Sequence, residues 1–157
     1  MTIGPGRNER AIAATFLANP SMTYTVDELV AIAYPTVKRI EKKHRVAVRR
    51  AAKKVATREW WGCSRAERPG HRIVYFNFLD HQSYAIGQIR GSYRYRELTH
   101  AEVVAAIEDP SMAPIVAEQW REAMRPGGAF WLEVEINRAK RRATISGRRR
   151  NGLKLIT

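Results

Sequence analysis

The chain has 157 residues, 45% apolar and 27% charged, enough for one folded domain or one domain with an appendage. The single cysteine, Cys63, excludes an intrachain disulfide and suits a reducing compartment. MTIGPGRNER at the start has no apolar stretch of secretory type, and no apolar run approaches the ~18 residues of a membrane span, so a cytoplasmic protein without a membrane partner is expected.

The net charge of +13 is concentrated. Residues 36–58 carry ten Lys or Arg against Glu41, a net of +9, and residues 138–154 carry eight and no acid. Without these two segments the rest of the chain stands at −4. Charge gathered this way points to a polyanion partner, because each neutralised phosphate releases condensed counterions.

Arg7–Ala18 reads as a helix with Ile12, Ala13, Phe16 and Leu17 facing a core, stopped by Asn19-Pro20-Ser21. Met22–Tyr24 is a short extended piece. Thr25 and Glu28 have capping-box spacing and open a second helix to about Ala33, which Tyr34-Pro35 ends. The next helix contains KHRVAVRRAAKKVATR, Lys43–Arg58, with seven Lys or Arg and no acid. At 100° per residue His44, Ala47, Val48, Ala51 and Val55 form an apolar stripe. Arg45, Arg49, Arg50, Lys53 and Lys54 fan out opposite, around Val46. The helix starts either at Thr36 or at about Lys43 after an ordered loop.

The period then changes. Glu59–Arg65, with Trp60-Trp61, reads as a strand, Arg68-Pro69-Gly70 suits a type II turn, and the alternating RIVYFNF of Arg72–Phe78 is a second strand. Together they predict a β-hairpin with Arg65, Arg68, His71 and Arg72 at or near its tip. One of Trp60 and Trp61 is expected under the basic helix, the other partly exposed.

TVDELVAIAYP, KHRVAVRRAAKKVATR and WWGCSRAERPGHRIVYF, in this order, resemble the winged helix-turn-helix family over about residues 7–80. The connection from Ala33 to Lys43 is longer than a tight helix-turn-helix. The resemblance implies an α+β fold, with a winged helix-turn-helix N-terminal half (7–80) and a small helical/β C-terminal extension (81–157). It also implies that the basic helix reads duplex DNA.

Asp80–Arg96 is expected to be partly extended. Thr99 and Glu102 form a second capping box, for a helix through Val103, Val104 and Ile107 up to Asp109-Pro110. Another helix follows from about Ser111 to Met124, and Pro126-Gly127-Gly128 ends it. Residues 97–125 carry a net of −4 and should face away from a nucleic acid; these helices are a candidate homodimer interface. In Ala129–Ile136 the alternation of Phe130, Leu132, Val134 and Ile136 favours a strand. Asn137–Ala143 looks more helical, Gly147–Asn151 reads as a basic loop and Leu153–Ile156 as a last strand.

Catalytic signals are thin. Cys63 lacks a zinc-type His or Cys spacing, and His44, His71, His81 and His100 form no ligand cluster in sequence. There is no phosphate-binding glycine loop. Asp80 with Glu133 and Glu135 is the one imaginable Mg²⁺ set, without a neighbouring lysine. The expectation is a non-enzymatic protein without cofactor or metal that binds double-stranded DNA, a bacterial or mobile-element transcription regulator associated with the nucleoid. Arg45, Val46, Arg49, Arg50 and Lys53 would meet base edges. Lys42, Lys43 and Lys54 would serve phosphates, Arg65, Arg68, His71 and Arg72 would place the hairpin, and Arg148, Arg149 and Arg150 would add a C-terminal contact. An RNA-binding or ribosome-associated protein and a non-catalytic assembly module are the alternatives.

Overall fold

The computed structural model describes residues 4–64 and 72–154. The fold is α+β and mostly helical, with seven helices and a three-stranded antiparallel sheet among the described residues.

Helix α1 (Arg7–Ala18) buries Ile12 and Phe16, one turn apart on one face. Leu17, expected in the core, is 69% exposed; it lies about 100° round the helix from Phe16, beyond the covered stripe. Strand β1 (Thr23–Thr25) runs into helix α2 (Val26–Ala33) through the expected capping box. The Thr25 N–H donates to Glu28 Oε2 at 2.7 Å, and the Glu28 N–H donates to Thr25 Oγ1 at 3.2 Å.

An ordered connection over residues 34–41 leads to helix α3 (Lys42–Glu59), so of the two starts the sequence allowed, the later one holds. His44 fixes it. Its Nδ1 accepts the backbone N–H of the N-cap residue Glu41 at 3.0 Å, and its ring packs on Tyr34 at 5.0 Å. At the other end Trp60 takes a left-handed conformation (φ 59°), which turns the chain back and sends Trp61 inward. Trp61 stacks on Phe16 at 3.9 Å and is buried, while Trp60 is half-buried.

Strands β2 (Trp61–Ser64) and β3 (Val74–Asn77) form the expected antiparallel pair, and β1 adds to the other edge of β3, giving the order β1-β3-β2. Helices α1, α2 and α3 enclose one core with this sheet, filled by Ile12, Phe16, Leu29, Val30, Val48, Ala52, Val55 and Trp61.

Residues 80–96, expected to be partly extended, contain helix α4 (His81–Ser92), capped by Asp80 Oδ1, which accepts the Ser83 N–H at 2.7 Å. Buried residues run consecutively from Ser83 to Gly87 and again from Ile89 to Gly91. A helix covered on more than one side shows no clean apolar stripe, which is why its sequence lacks the 3.6-residue signature. Gly87 lets it lie close to the sheet, since a Cβ there would sit 2.6 Å from Phe76 Cβ. Ser83 ties the two together: its Oγ donates to Met22 O and accepts the Asn77 N–H, both at 2.8 Å. The expected boundary near residue 80 therefore falls at the N-cap of a helix packed on the sheet.

Helices α5 (His100–Glu108) and α6 (Pro114–Met124) follow, and pack with α4 around Ile86, Ile89, Leu98, Val103 and Val116. Thr99 caps α5 by accepting the Glu102 N–H at 3.1 Å, while the Glu102 carboxylate pairs with Arg96.

Residues 129–154 are one helix, α7 (Ala129–Lys154), so the helical reading of Asn137–Ala143 holds, while the strand expected before it and the loop after it, with the described part of the last strand, are helix instead. The alternation over 130–136 does not mark a face: Leu132 and Ile136 are each 53% exposed, and Val134 is buried against Phe76 and Tyr84. The contacts that anchor the helix come from Trp131, Val134 and Arg138, at helical spacing. The end of the expected last strand, residues 155–156, lies outside the described residues.

Candidate nucleic-acid interface

Alternating burial along α3 divides it into two faces. Val48, Ala51, Ala52, Val55 and Ala56 are buried against the core. Lys42, Lys43, Arg45, Val46, Arg49, Arg50, Lys53 and Lys54 are exposed. From Lys42 to Lys54 the exposed row spans about 18 Å at 1.5 Å per residue. The small buried alanines let α3 lie close to its neighbours and keep the exposed face proud of the body.

Acids brought in by the fold modify that face. In the sequence no acid follows Glu41 along it, but α2 and α1 supply two. Asp27 in the first turn of α2 holds Arg45, with Nε to Oδ1 at 2.8 Å and Nη2 to Oδ2 at 3.2 Å. Glu9 of α1 stands 3.5 Å from Lys54, and Lys43 pairs with its neighbour Glu41 at 3.2 Å. Lys42, Arg49, Arg50 and Lys53 make no ion pair among the described residues. These four surround Val46, which is 36% exposed.

Beside α3 lies a cleft of about 420 Å³ that no sequence feature announced. Its walls are the start of α1 (Gly6–Glu9), Tyr34, and Ala47, Arg50, Ala51 and Lys54 of α3. Tyr34 organises it: the hydroxyl accepts from Asn8 Nδ2 at 2.9 Å, and the Arg7 guanidinium lies 5.9 Å from the ring centre.

The hairpin stem is formed by β2 and β3, but Arg65, Arg68 and His71 lie outside the described residues. Arg72 is turned to a structural task. Its Nη1 donates to Tyr93 O at 2.5 Å and its backbone N–H to Gly91 O at 2.8 Å, which secures the end of α4.

The second basic segment is helical. Arg138 donates from Nε to Leu79 O at 2.9 Å, and beyond it residues 139–146 contain no buried residue. Arg148, Arg149 and Arg150 fall within α7, in the part whose side chains are not described.

Two titratable side chains away from α3 lie in packed surroundings. His81 stacks on Trp131 at 4.0 Å, and burial, then Arg138, holds its pKa below the ordinary value. Burial pushes the Tyr84 hydroxyl far up, helped by its hydrogen bond to Glu133. Among the described residues no group of three or more His, Cys, Asp or Glu side chains is placed to hold a metal ion, Asp80, Glu133 and Glu135 included. No helix among them is long and apolar enough to cross a membrane.

Compared with known proteins, the chain matches no family model, no curated protein and no solved structure.

Proposed function

We propose that the chain is a winged-helix protein that binds double-stranded DNA, with α3 in the major groove and the β2–β3 hairpin as its wing, and that it serves in control of transcription. The observation that carries this reading is the exposed row of Lys42, Arg49, Arg50 and Lys53 around Val46, without an ion pair among the described residues, on a helix whose opposite face is buried. Cations held by no acid are free to turn toward phosphates, and a helix of this width fits a groove about 12 Å across. The element order supports the same reading, with α1, β1, α2, α3 and then a hairpin whose second strand pairs with β1. The exposed part of α7 supplies a second basic surface, and the acidic α5–α6 region faces other partners.

Anisotropy titrations of duplex DNA, duplex RNA and single strands across a salt series test the proposal. Duplex DNA should bind tightest, with log Kd rising with log salt at a slope of about 4 or more, near 0.9 per phosphate contact. Preference for RNA, or equal affinity for all of these polymers, would overturn it.

A further inference from the structure

We infer that Asp27 is a positioning residue that presents Arg45 to a base edge and so sets sequence preference. This rests on the duplex-DNA reading above. Arg45 is the fourth residue of α3, in the first turns of a helix whose N-terminal part reaches base edges in helix-turn-helix docking. Asp27 comes from a different helix, eighteen positions earlier, and meets it with both carboxylate oxygens. The pair is about half exposed on each side, at 47% and 48%, so it lies at the surface of the proposed interface and not beneath it.

The geometry decides what Arg45 can still do. A guanidinium has five N–H donors in a fixed plane. Asp27 takes Nε–H and one hydrogen of Nη2, along the side of the fork. Two hydrogens on Nη1 and one on Nη2 remain, and one from each nitrogen points forward to form the end-on edge. That edge matches the paired N7 and O6 acceptors of guanine in the major groove. Arg49, Arg50 and Lys53 have no such holder among the described residues, and a long cationic side chain without one keeps its rotamer freedom. A held fork discriminates between acceptor arrangements, whereas a mobile cation follows phosphate charge.

The same carboxylate weakens the sequence-independent attraction, because it sits against the DNA's own charge. Asp27 therefore lowers general affinity while raising discrimination, and this gives its removal an unusual signature. D27A should bind a scrambled duplex as tightly as the wild type or more tightly, with a salt slope steeper by about one. Its ratio of preferred-site to scrambled affinity should fall about tenfold, within the range of one good bidentate contact. An ion pair that merely fastens α2 to α3 would instead weaken both duplexes alike.

Selection from a random duplex pool with the full chain, followed by titration of the enriched and scrambled duplexes, makes the test. Wild type, D27A, D27N, R45K and the double variant D27A/R45K are compared. The expected result is loss of preference at one guanine-bearing pair in D27A and R45K, with the double variant no worse than R45K alone. Equal ratios in wild type and D27A overturn the inference, as does a D27A defect of equal size on both duplexes. If the wild type binds duplexes but selects no sequence, the inference fails while DNA binding stands. If it binds no duplex, the underlying reading fails and the inference with it.

Discussion

Arg90 is 1% exposed, and a buried arginine persists only where its donors are matched. Its Nε donates to Leu98 O at 2.6 Å, Nη1 to Thr23 O and Thr23 Oγ1 at 3.0 Å, and Nη2 to Glu28 Oε1 at 2.7 Å. The other Glu28 oxygen closes the α2 capping box, so one carboxylate caps α2 and neutralises the arginine of α4. Replacing Arg90 with Ala would strand two carbonyls and a carboxylate. A loss of about 3–5 kcal/mol is expected, which corresponds to a fall in Tm of about 10 °C for a chain of this size. Urea unfolding of R90A that shows a loss below about 1 kcal/mol would contradict the account.

His100 extends this network and makes it respond to pH. Its Nδ1 lies within hydrogen-bond distance, 2.9 Å, of Thr23 Oγ1, the same hydroxyl oxygen that accepts from Arg90 Nη1. Burial first, then the Arg90 charge, lowers the His100 pKa below 6.5, opposed by Glu28 and Asp80. A depressed histidine contributes stability that is fully present above the unfolded pKa, about 6.5. That contribution is lost as pH falls through the folded value, because the unfolded chain binds the proton first. Unfolding free energy should therefore drop as pH falls below about 6.5, and H100Q should flatten part of the drop. An H100Q profile parallel to wild type would show that His100 is not linked to folding.

At the scale of elements, legibility follows exposure. α1, α2, α3 and α5 each have a start or stop written in local chemistry, such as the Thr25–Glu28 box or Thr99 at the α5 N-cap, and a buried stripe on one side only. α4 escapes a reading by periodicity because it is enclosed, and α7 because an accidental alternation of apolar residues coincides with a helix held at few points. The basic row of α3 is readable, but Asp27 and Glu9 beside it are not, since they come from elsewhere in the chain. The close approach of α4 to the sheet yields a test of the packing. G87A would bring a methyl to 2.6 Å from Phe76 Cβ, and the resulting displacement should cost about 1–3 kcal/mol. Denaturant midpoints read the loss, and a change below about 0.5 kcal/mol would mean that α4 yields at this contact.

For the molecule as a whole, charge and packing are distributed in opposite senses. The α4–α5–α6 side buries its apolar groups around Ile86, Ile89 and Val103, and within it residues 97–125 are net acidic. The basic charge sits on α3 and on the part of α7 beyond Arg138. A helix of 26 residues, about 39 Å long, is more than its anchors at Trp131, Val134 and Arg138 require. Its exposed cations thus add little to folding. Lys140 and Arg142 are exposed and make no ion pair among the described residues. Replacing both with Gln preserves helix propensity and should change stability by no more than about 0.5 kcal/mol. If α7 lies along phosphates as proposed, the K140Q/R142Q protein should bind duplex DNA of every sequence more weakly. Its salt slope should fall by about two, near 0.9 for each phosphate no longer neutralised, while the preferred-site to scrambled ratio stays constant. A constant slope with unchanged stability would remove α7 from the interface, and a changed ratio would mean that it reads bases and not the backbone.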